Sequence, residues 1–338
     1  MTLSRSPATG PGAPETGAQK AAFALLWLYR SILRRLRPNS GLTLAAFNKV
    51  TNALFGMIPE KQVALVQGGL RIPVSVNDYH GRVLWLFGSN DFKVERICRQ
   101  LTQPGDVFLD IGANHGSIGL AVLQVVGPQG EVHFFEPQPD LSAVIGQALQ
   151  QEGTGRGHLH TVALSDGEGV LEMSLADNHS GLATIVKPGA DGHFNRTIEV
   201  ATVETGRHVA GLLRGRPFGV KIDIEGAEPI VLPPLLQLPG LRFVQFEGAS
   251  NLAQLQSIFS AASFEVFGLN RTVFAPRLTH CPDLASWNLY HDFVALPRAA
   301  GLPRETMSFA AAARHLLARS AGAADPQRAD AALNKQGQ

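Results

Sequence analysis

Apolar positions return along this chain in two rhythms. Short continuous runs, bounded by glycine or proline, alternate with longer stretches in which apolar residues recur every three or four positions. The short runs fall at residues 107–111 (V-F-L-D-I), 131–135, 158–163, 219–224 and 241–246. Runs without polar alternation predict strands buried on both faces, as in the centre of a parallel sheet. Helical spacing fills the intervals at about residues 117–126, 139–151, 204–214 and 252–262. Pro139 suits the first turn of its helix, where the missing N–H has no partner to lose. Residues 264–269 and 292–296 read as a closing antiparallel pair, and residues 169–174 and 197–203 as extra strands around an irregular loop holding residues 178–185. The pattern predicts an α/β fold.

Upstream, residues 43–57 have helical spacing, and residues 61–76 read as two short strands about the Gly68-Gly69 turn. A loop is expected at residues 77–81 (N-D-Y-H-G), then an apolar run at 83–87. Asn90 or Asp91 is placed to cap a helix over residues 92–101. The expected division is a disordered tail at 1–20, a helical and β extension at 21–100, a nucleotide-binding domain at 101–298 and an Ala/Arg-rich tail at 299–338, with one helix near 307–320.

Residues 21–38 (A-A-F-A-L-L-W-L-Y-R-S-I-L-R-R-L-R-P) are amphipathic. The uncharged run is far shorter than the roughly 20 residues a bilayer needs. Arginines 30, 34, 35 and 37 follow the apolar run, the reverse of a secretory signal. Two readings stand: a helix packed on the domain, the favoured one, or a peripheral membrane contact on an anionic surface.

Composition narrows the field. The 338 residues carry 45% hydrophobic side chains and a formal charge of +1, without the basic excess that steers proteins to nucleic acid. Cys98 and Cys281 have no metal-ligand spacing, so two reduced thiols and a cytoplasmic location are expected. Oligomeric state leaves no mark on the sequence.

The chemistry gathers at V-F-L-D-I-G-A-N-H-G-S-I-G, residues 107–119. A strand, a glycine turn and a helix form the first unit of a nucleotide-binding fold, where glycine lets the backbone approach a ligand. The spacing Gly112-x-x-x-Gly116-x-x-Gly119 is not the G-x-G-x-x-G of a pyrophosphate site. Asp110 beside it suits a cationic ligand better than a phosphate. S-adenosylmethionine, with an ammonium and a sulfonium and no phosphate, fits. The next strand ends in Glu136, placed as a ribose-binding carboxylate should be.

Four stretches, D-I-G-A-N-H-G, F-E-P-Q-P, A-L-S-D-G-E-G and K-I-D-I-E-G-A-E, resemble the FkbM-type methyltransferases. The segments N-D-Y-H-G-R and S-G-L-A-T fit the same family, and the resemblance spans roughly residues 77–297. It departs at Val203-Glu204, where the family more often has Leu-Asp. The resemblance implies a Rossmann-like class I fold with a mostly parallel seven-stranded sheet. It also implies S-adenosylmethionine as cofactor and O-methylation of a sugar, glycolipid or polyketide-like hydroxyl.

Glu136 is expected to accept both ribose hydroxyls. Asp110 is assigned to the methionine end of the cofactor or to orienting the glycine-loop amides, and Gly112 and Gly116 to close backbone approach. Asn114 either bonds the cofactor carboxylate or occupies a left-handed turn. Ser165 and Asp166 are placed at the adenine edge, with an ordinary turn as the alternative. Asp223 and Glu225, in D-I-E, should point to one side of an extended strand and face the transferred methyl, with Glu247 in support. The same three acids could instead hold a divalent metal ion, a reading not favoured because no histidine or asparagine is clearly placed beside them. Lys221 is expected to pack along its strand or pair with one of them, and His179 lies in the loop expected to border the acceptor pocket. A nicotinamide oxidoreductase and a non-catalytic S-adenosylmethionine-binding module are the competing functions. Nucleic-acid methylation is disfavoured, since no motif for a flipped base is present.

Overall fold

The computed structural model describes residues 16–320, apart from 39, 177–178, 185–193, 249–250, 271, 273–275 and 303–305. The chain opens with helices α1 (Gly17–Leu36), α2 (Leu42–Phe47) and α3 (Lys49–Phe55). A hairpin of β1 (Lys61–Leu65) and β2 (Arg71–Ser75) leads to α4 (Tyr79–Phe87) and α5 (Phe92–Leu101). The alternating core begins with β3 (Val107–Ile111), α6 (Ser117–Leu123), β4 (Glu131–Phe135), α7 (Pro139–Glu152) and β5 (Gly157–His160). Four strands then form a separate small sheet: β6 (Ala163–Ser165), β7 (Gly169–Ala176), β8 (His179–Thr184) and β9 (Arg196–Glu204). The core resumes with α8 (Thr205–Leu213), β10 (Phe218–Ile222), α9 (Glu228–Leu236), β11 (Leu241–Glu247), α10 (Leu252–Ala261) and β12 (Phe264–Leu269). It finishes with β13 (Arg277–His280), α11 (Leu284–Trp287), β14 (Asp292–Pro297), β15 (Met307–Ser308) and α12 (Phe309–Ser320).

The main sheet runs β15-β13-β12-β14-β11-β10-β3-β4-β5. Its strands from β11 to β5 are parallel, and β14 enters antiparallel between β11 and β12. The sheet thus has nine strands rather than the seven expected; β11, β10, β3, β4 and β5 run parallel, and β14, β12, β13 and β15 are joined by antiparallel pairing. Every residue of β3 and β10 is buried, which is why these central strands read as unbroken apolar runs.

Several expectations are corrected. Residues 17–19 are helical, because Thr16 and Gln19 form a reciprocal capping box at the start of α1. The single helix expected at 43–57 breaks at Asn48, whose extended backbone and side chain cap α3. The loop expected at 77–81 is the first turn of α4, since the Asp78 carboxylate accepts the Gly81 amide at 2.6 Å. The helix expected at 117–126 stops at Leu123. The strand expected at 158–163 stops at His160, and Ala163–Ser165 turns away to pair with β9. The irregular loop contains β8, which pairs with β7. The rest of the N-terminal tail, residues 185–193 of that loop and everything beyond 320 lie outside the described residues.

The N-terminal extension belongs to the main body. Ala22, Leu26 and Leu33 of α1 enter one hydrophobic cluster with α4, α5 and α6. Arg34 donates to the carbonyls of Trp85 and Leu86, each at 3.1 Å, and Arg30 lies over the Trp85 ring at 4.7 Å. The opposite face of α1 exposes Leu25, Leu28, Ile32 and Leu36. No helix among the described residues is long and apolar enough to cross a membrane. Both cysteines are buried and unpaired.

Candidate active site

The carboxyl ends of β3, β4, β10 and β11 open on a cavity of about 680 Å³. This is where ligands bind in open α/β sheets. Gly112 leaves β3 at φ +70°, and a Cβ there would sit 1.9 Å from the Asp223 carbonyl oxygen, so only glycine lets the two strand ends come this close. Asn114 takes the left-handed conformation its sequence context allowed, at φ +53°. That turn aims its amide at Glu136 Oε2, 2.7 Å away, while the Gln138 amide reaches Glu136 Oε1 at 2.9 Å. A carboxylate has about four lone-pair sites, so two remain for other donors. Burial lifts the Glu136 pKa to about 7 against the opposing effect of the two amides and Lys221.

Gly112, Asn114, Glu136, Asp223, Glu225 and Glu247 all line the cavity; Asp110, Gly116, Ser165 and Asp166 do not. Asp110 is fully buried behind the wall. It accepts the Gly119 amide at 2.8 Å and lies 3.4 Å from Lys221 Nζ, so it takes the loop-orienting role. Lys221 donates to the Gly112 carbonyl at 2.6 Å and lies 3.8 Å from Asp223. Burial would lower its pKa, but Asp110 and Asp223 outweigh that and raise it. Gly116 caps α6 behind the loop. Ser165 donates to Asp166 within their own turn, and the cavity wall there is made by Val162, Ala163 and Leu164 instead.

The D-I-E acids reach the cavity by a route other than strand alternation. Strand β10 ends at Ile222, and Glu225 sits in a left-handed turn at φ +51°. Glu228 holds that turn by accepting the amides of Ile224 and Gly226, each at 3.0 Å. Burial first, then the charges of Asp223 and Glu247, raise Glu225 to about 8, so it carries a proton at neutral pH. Glu247 accepts from His291 Nδ1 at 2.9 Å, and its pKa is raised by burial.

On the second wall, sequence reasoning named His179 but missed Asp78 and Ser180. Asp78 accepts the Ser180 amide at 2.7 Å and its hydroxyl at 3.0 Å, and Ser180 in turn meets the Asn114 side chain at 3.3 Å. Tyr79 stacks on His179 at 4.6 Å, with His80 edge-on to both rings. Burial lowers the His80 pKa to about 3, so its ring is neutral. The signal was available as an aspartate preceding an apolar helical run, an N-cap pattern. Lys93 and Asp292 form a buried ion pair on the cavity floor.

Residues 110–256 match the model of the methyltransferase FkbM domain. Among solved structures, methyltransferase FkbM from Methylobacillus flagellatus is 11% identical, with a TM-score of 0.36. The match covers 65% of this chain and 55% of that one, so this chain spans about half the length of that relative. A SAM-dependent O-methyltransferase from Thermotoga maritima is 10% identical over 73% of this chain and 81% of its own, with a TM-score of 0.38. Precorrin-6y C5,15-methyltransferase from Geobacter metallireducens is 12% identical over 61% and 89%, with a TM-score of 0.34. A search of curated proteins found no match.

Proposed function

We propose, from the match of residues 110–256 to the methyltransferase FkbM domain, that this chain is an S-adenosylmethionine-dependent O-methyltransferase. The acceptor we propose is a hydroxyl of a sugar, glycolipid or polyketide-like small molecule. One observation carries the reading: Glu136 and the acids Asp223, Glu225 and Glu247 line a single cavity together with the glycine loop. Bound there, S-adenosylmethionine would supply a methyl group activated by its sulfonium.

The residues divide the work. Glu136 has lone pairs left for two ribose hydroxyls, and the loop from Gly112 to Asn114 offers backbone at close range. The apolar wall of Val162, Ala163 and Leu164 suits a flat base. Methyl transfer to a hydroxyl is an in-line displacement, so most of the acceleration comes from positioning. Asp223, half-exposed beside Lys221, is the group to take the hydroxyl proton, adding typically about 10²–10⁴-fold. Glu225, protonated near neutrality, serves better as a hydrogen-bond donor to the acceptor. The Glu247–His291 pair and the ring wall of Tyr79 and His179 would hold a polyhydroxylated acceptor. Two buried, unpaired thiols support a cytoplasmic setting.

Two measurements on the purified protein test this. Calorimetry should show saturable binding of S-adenosylhomocysteine and none of NAD. Methyl-labelled cofactor should then label at least one member of a sugar and glycolipid panel. Preference for NAD would overturn the cofactor assignment. Cofactor binding without transfer to any hydroxyl acceptor would favour a non-catalytic binding module.

A further inference from the structure

At the opposite end of the sheet from the cavity, the first half of β4 and the edge strand β5 bring together a different set of side chains. Glu131 begins β4, His133 follows two positions later on the same face, and His158 is the register partner of His133 on β5. One ligand atom from each lies within 4.8 Å of the others, and among the described residues this is the group of three that does so. His133 Nε2 lies 3.5 Å from Glu131 Oε2, and His158 Nε2 lies 3.9 Å from the same oxygen. Ligand atoms about 2.0–2.2 Å from a tetrahedral Zn²⁺ stand roughly 3.3–3.5 Å apart, so small side-chain shifts would close the set.

A second observation points to a ligand. His133 is 4% exposed, and its Nε2 is buried without a hydrogen-bond partner. Its other nitrogen, Nδ1, lies 2.9 Å from His160 Nε2. If Nδ1 carries the proton of that bond, Nε2 presents a bare lone pair toward a carboxylate, an arrangement that a cation would satisfy. An outer hydrogen bond that fixes the tautomer is the usual support of a metal-bound imidazole. Arg216 also bonds Glu131 Oε2, at 2.5 Å, which steadies the carboxylate and leaves that oxygen a second lone pair. His158, with a 42% exposed side chain, gives an ion access from solvent.

We infer that Glu131, His133 and His158 form a transition-metal site, suited by its nitrogen and oxygen donors to Zn²⁺, that staples the edge strand β5 to β4. None of the three lines the catalytic cavity. The ion is therefore a structural element, separate from methyl transfer.

The test uses the full chain stripped by a chelator and then titrated with Zn²⁺ in a calorimeter, and with Co²⁺ in a spectrophotometer. One equivalent should bind, Co²⁺ should give the intense visible bands of a low-coordinate nitrogen and oxygen site, and saturating Zn²⁺ should raise Tm by several degrees. His158→Ala, at an exposed position, should weaken that binding at least tenfold and abolish the Tm gain. Glu131→Gln should do the same while retaining a side chain able to accept from Arg216. Absence of saturable binding, or binding unchanged in His158→Ala, would overturn the inference. Unchanged binding there would place the ion on other histidines.

Discussion

Replacing Glu136 by Gln isolates the carboxylate at the centre of the proposed cofactor site. The group accepts two backbone amides, at 2.7 and 2.9 Å, but burial still lifts its pKa from 4.5 to about 7. A shift of that size is a difference of about 3 kcal/mol between the protonation states. The sign follows from linkage. The folded carboxyl holds its proton more tightly than the unfolded one, so its contribution to stability is full below pH 4.5 and is lost as pH rises to about 7. Two ribose hydroxyls donating to the carboxylate favour the ionised form, so cofactor binding expels the proton. Affinity should therefore fall as pH is lowered, by about twofold at pH 7 and about tenfold at pH 6 relative to pH 8. Glu136→Gln cannot ionise and must turn its NH₂ toward one of the two amides. At pH 8 it should lose roughly 1.5–3 kcal/mol of affinity, the range for a hydrogen bond to a charged group, or about 10–150-fold. Calorimetry with S-adenosylhomocysteine at about pH 6, 7 and 8 on both proteins reads the effect. The ligand's own titrations appear equally in both, so the ratio of affinities isolates Glu136. A ratio near one, or one that does not change with pH, would refute the reasoning.

Two further outcomes are expected. Asp223→Asn should lower turnover about a hundredfold while cofactor affinity changes little, as when an interaction matters mainly in the transition state; unchanged turnover would move the proton-accepting role to Glu247. Truncation before residue 38 removes the buried Leu26 and Leu33, each contributing about 1.5–3 kcal/mol, and should lower Tm, with no sedimentation on anionic vesicles in either form. Vesicle binding that depends on this segment would assign the outward Leu25, Leu28 and Ile32 to a lipid surface.

The elements legible in the sequence were those whose burial is two-sided. Strands β3, β4, β10 and β11 announced themselves as apolar runs because parallel strands between helical layers expose neither face. Glu136 stood out because a carboxylate closing such a run, one unit after a glycine loop, has few structural reasons to be there, and it lines the cavity. Ser165 and Asp166 misled because a strand C-terminus looks the same whichever sheet it joins. Only the pairing of Ala163–Ser165 with β9 shows that the chain has already left the main sheet. The D-I-E acids were right in place and wrong in mechanism. Alternation cannot carry both carboxylates when the strand stops at Ile222, and the left-handed Glu225 that replaces it depends on Glu228 four residues after Ile224. The capping role of Asp78 had a local signal, but its contact with the far wall was invisible for a different reason. Its partner Ser180 is 102 residues away, and no local pattern encodes a contact of that range.

That long-range contact changes what the N-terminal extension is for. Asp78 caps α4, whose buried face packs against α1 and β1. The same carboxylate holds the backbone and hydroxyl of Ser180, which lies beside Asn114 of the glycine loop. Gly181 is required next to it, because a Cβ there would fall 2.0 Å from the His80 ring. A chain of contacts thus runs from a helix outside the family match, through one aspartate, to the glycine loop that lines the cavity. The extension supplies Tyr79 and His80, and the small sheet His179, to one wall of the cavity, while Gly112, Asn114 and Glu136 of the core line the other. Substitutions at Tyr79, His80 or His179 should therefore reshape this wall without disturbing the amide contacts of Glu136 or the turn at Gly112.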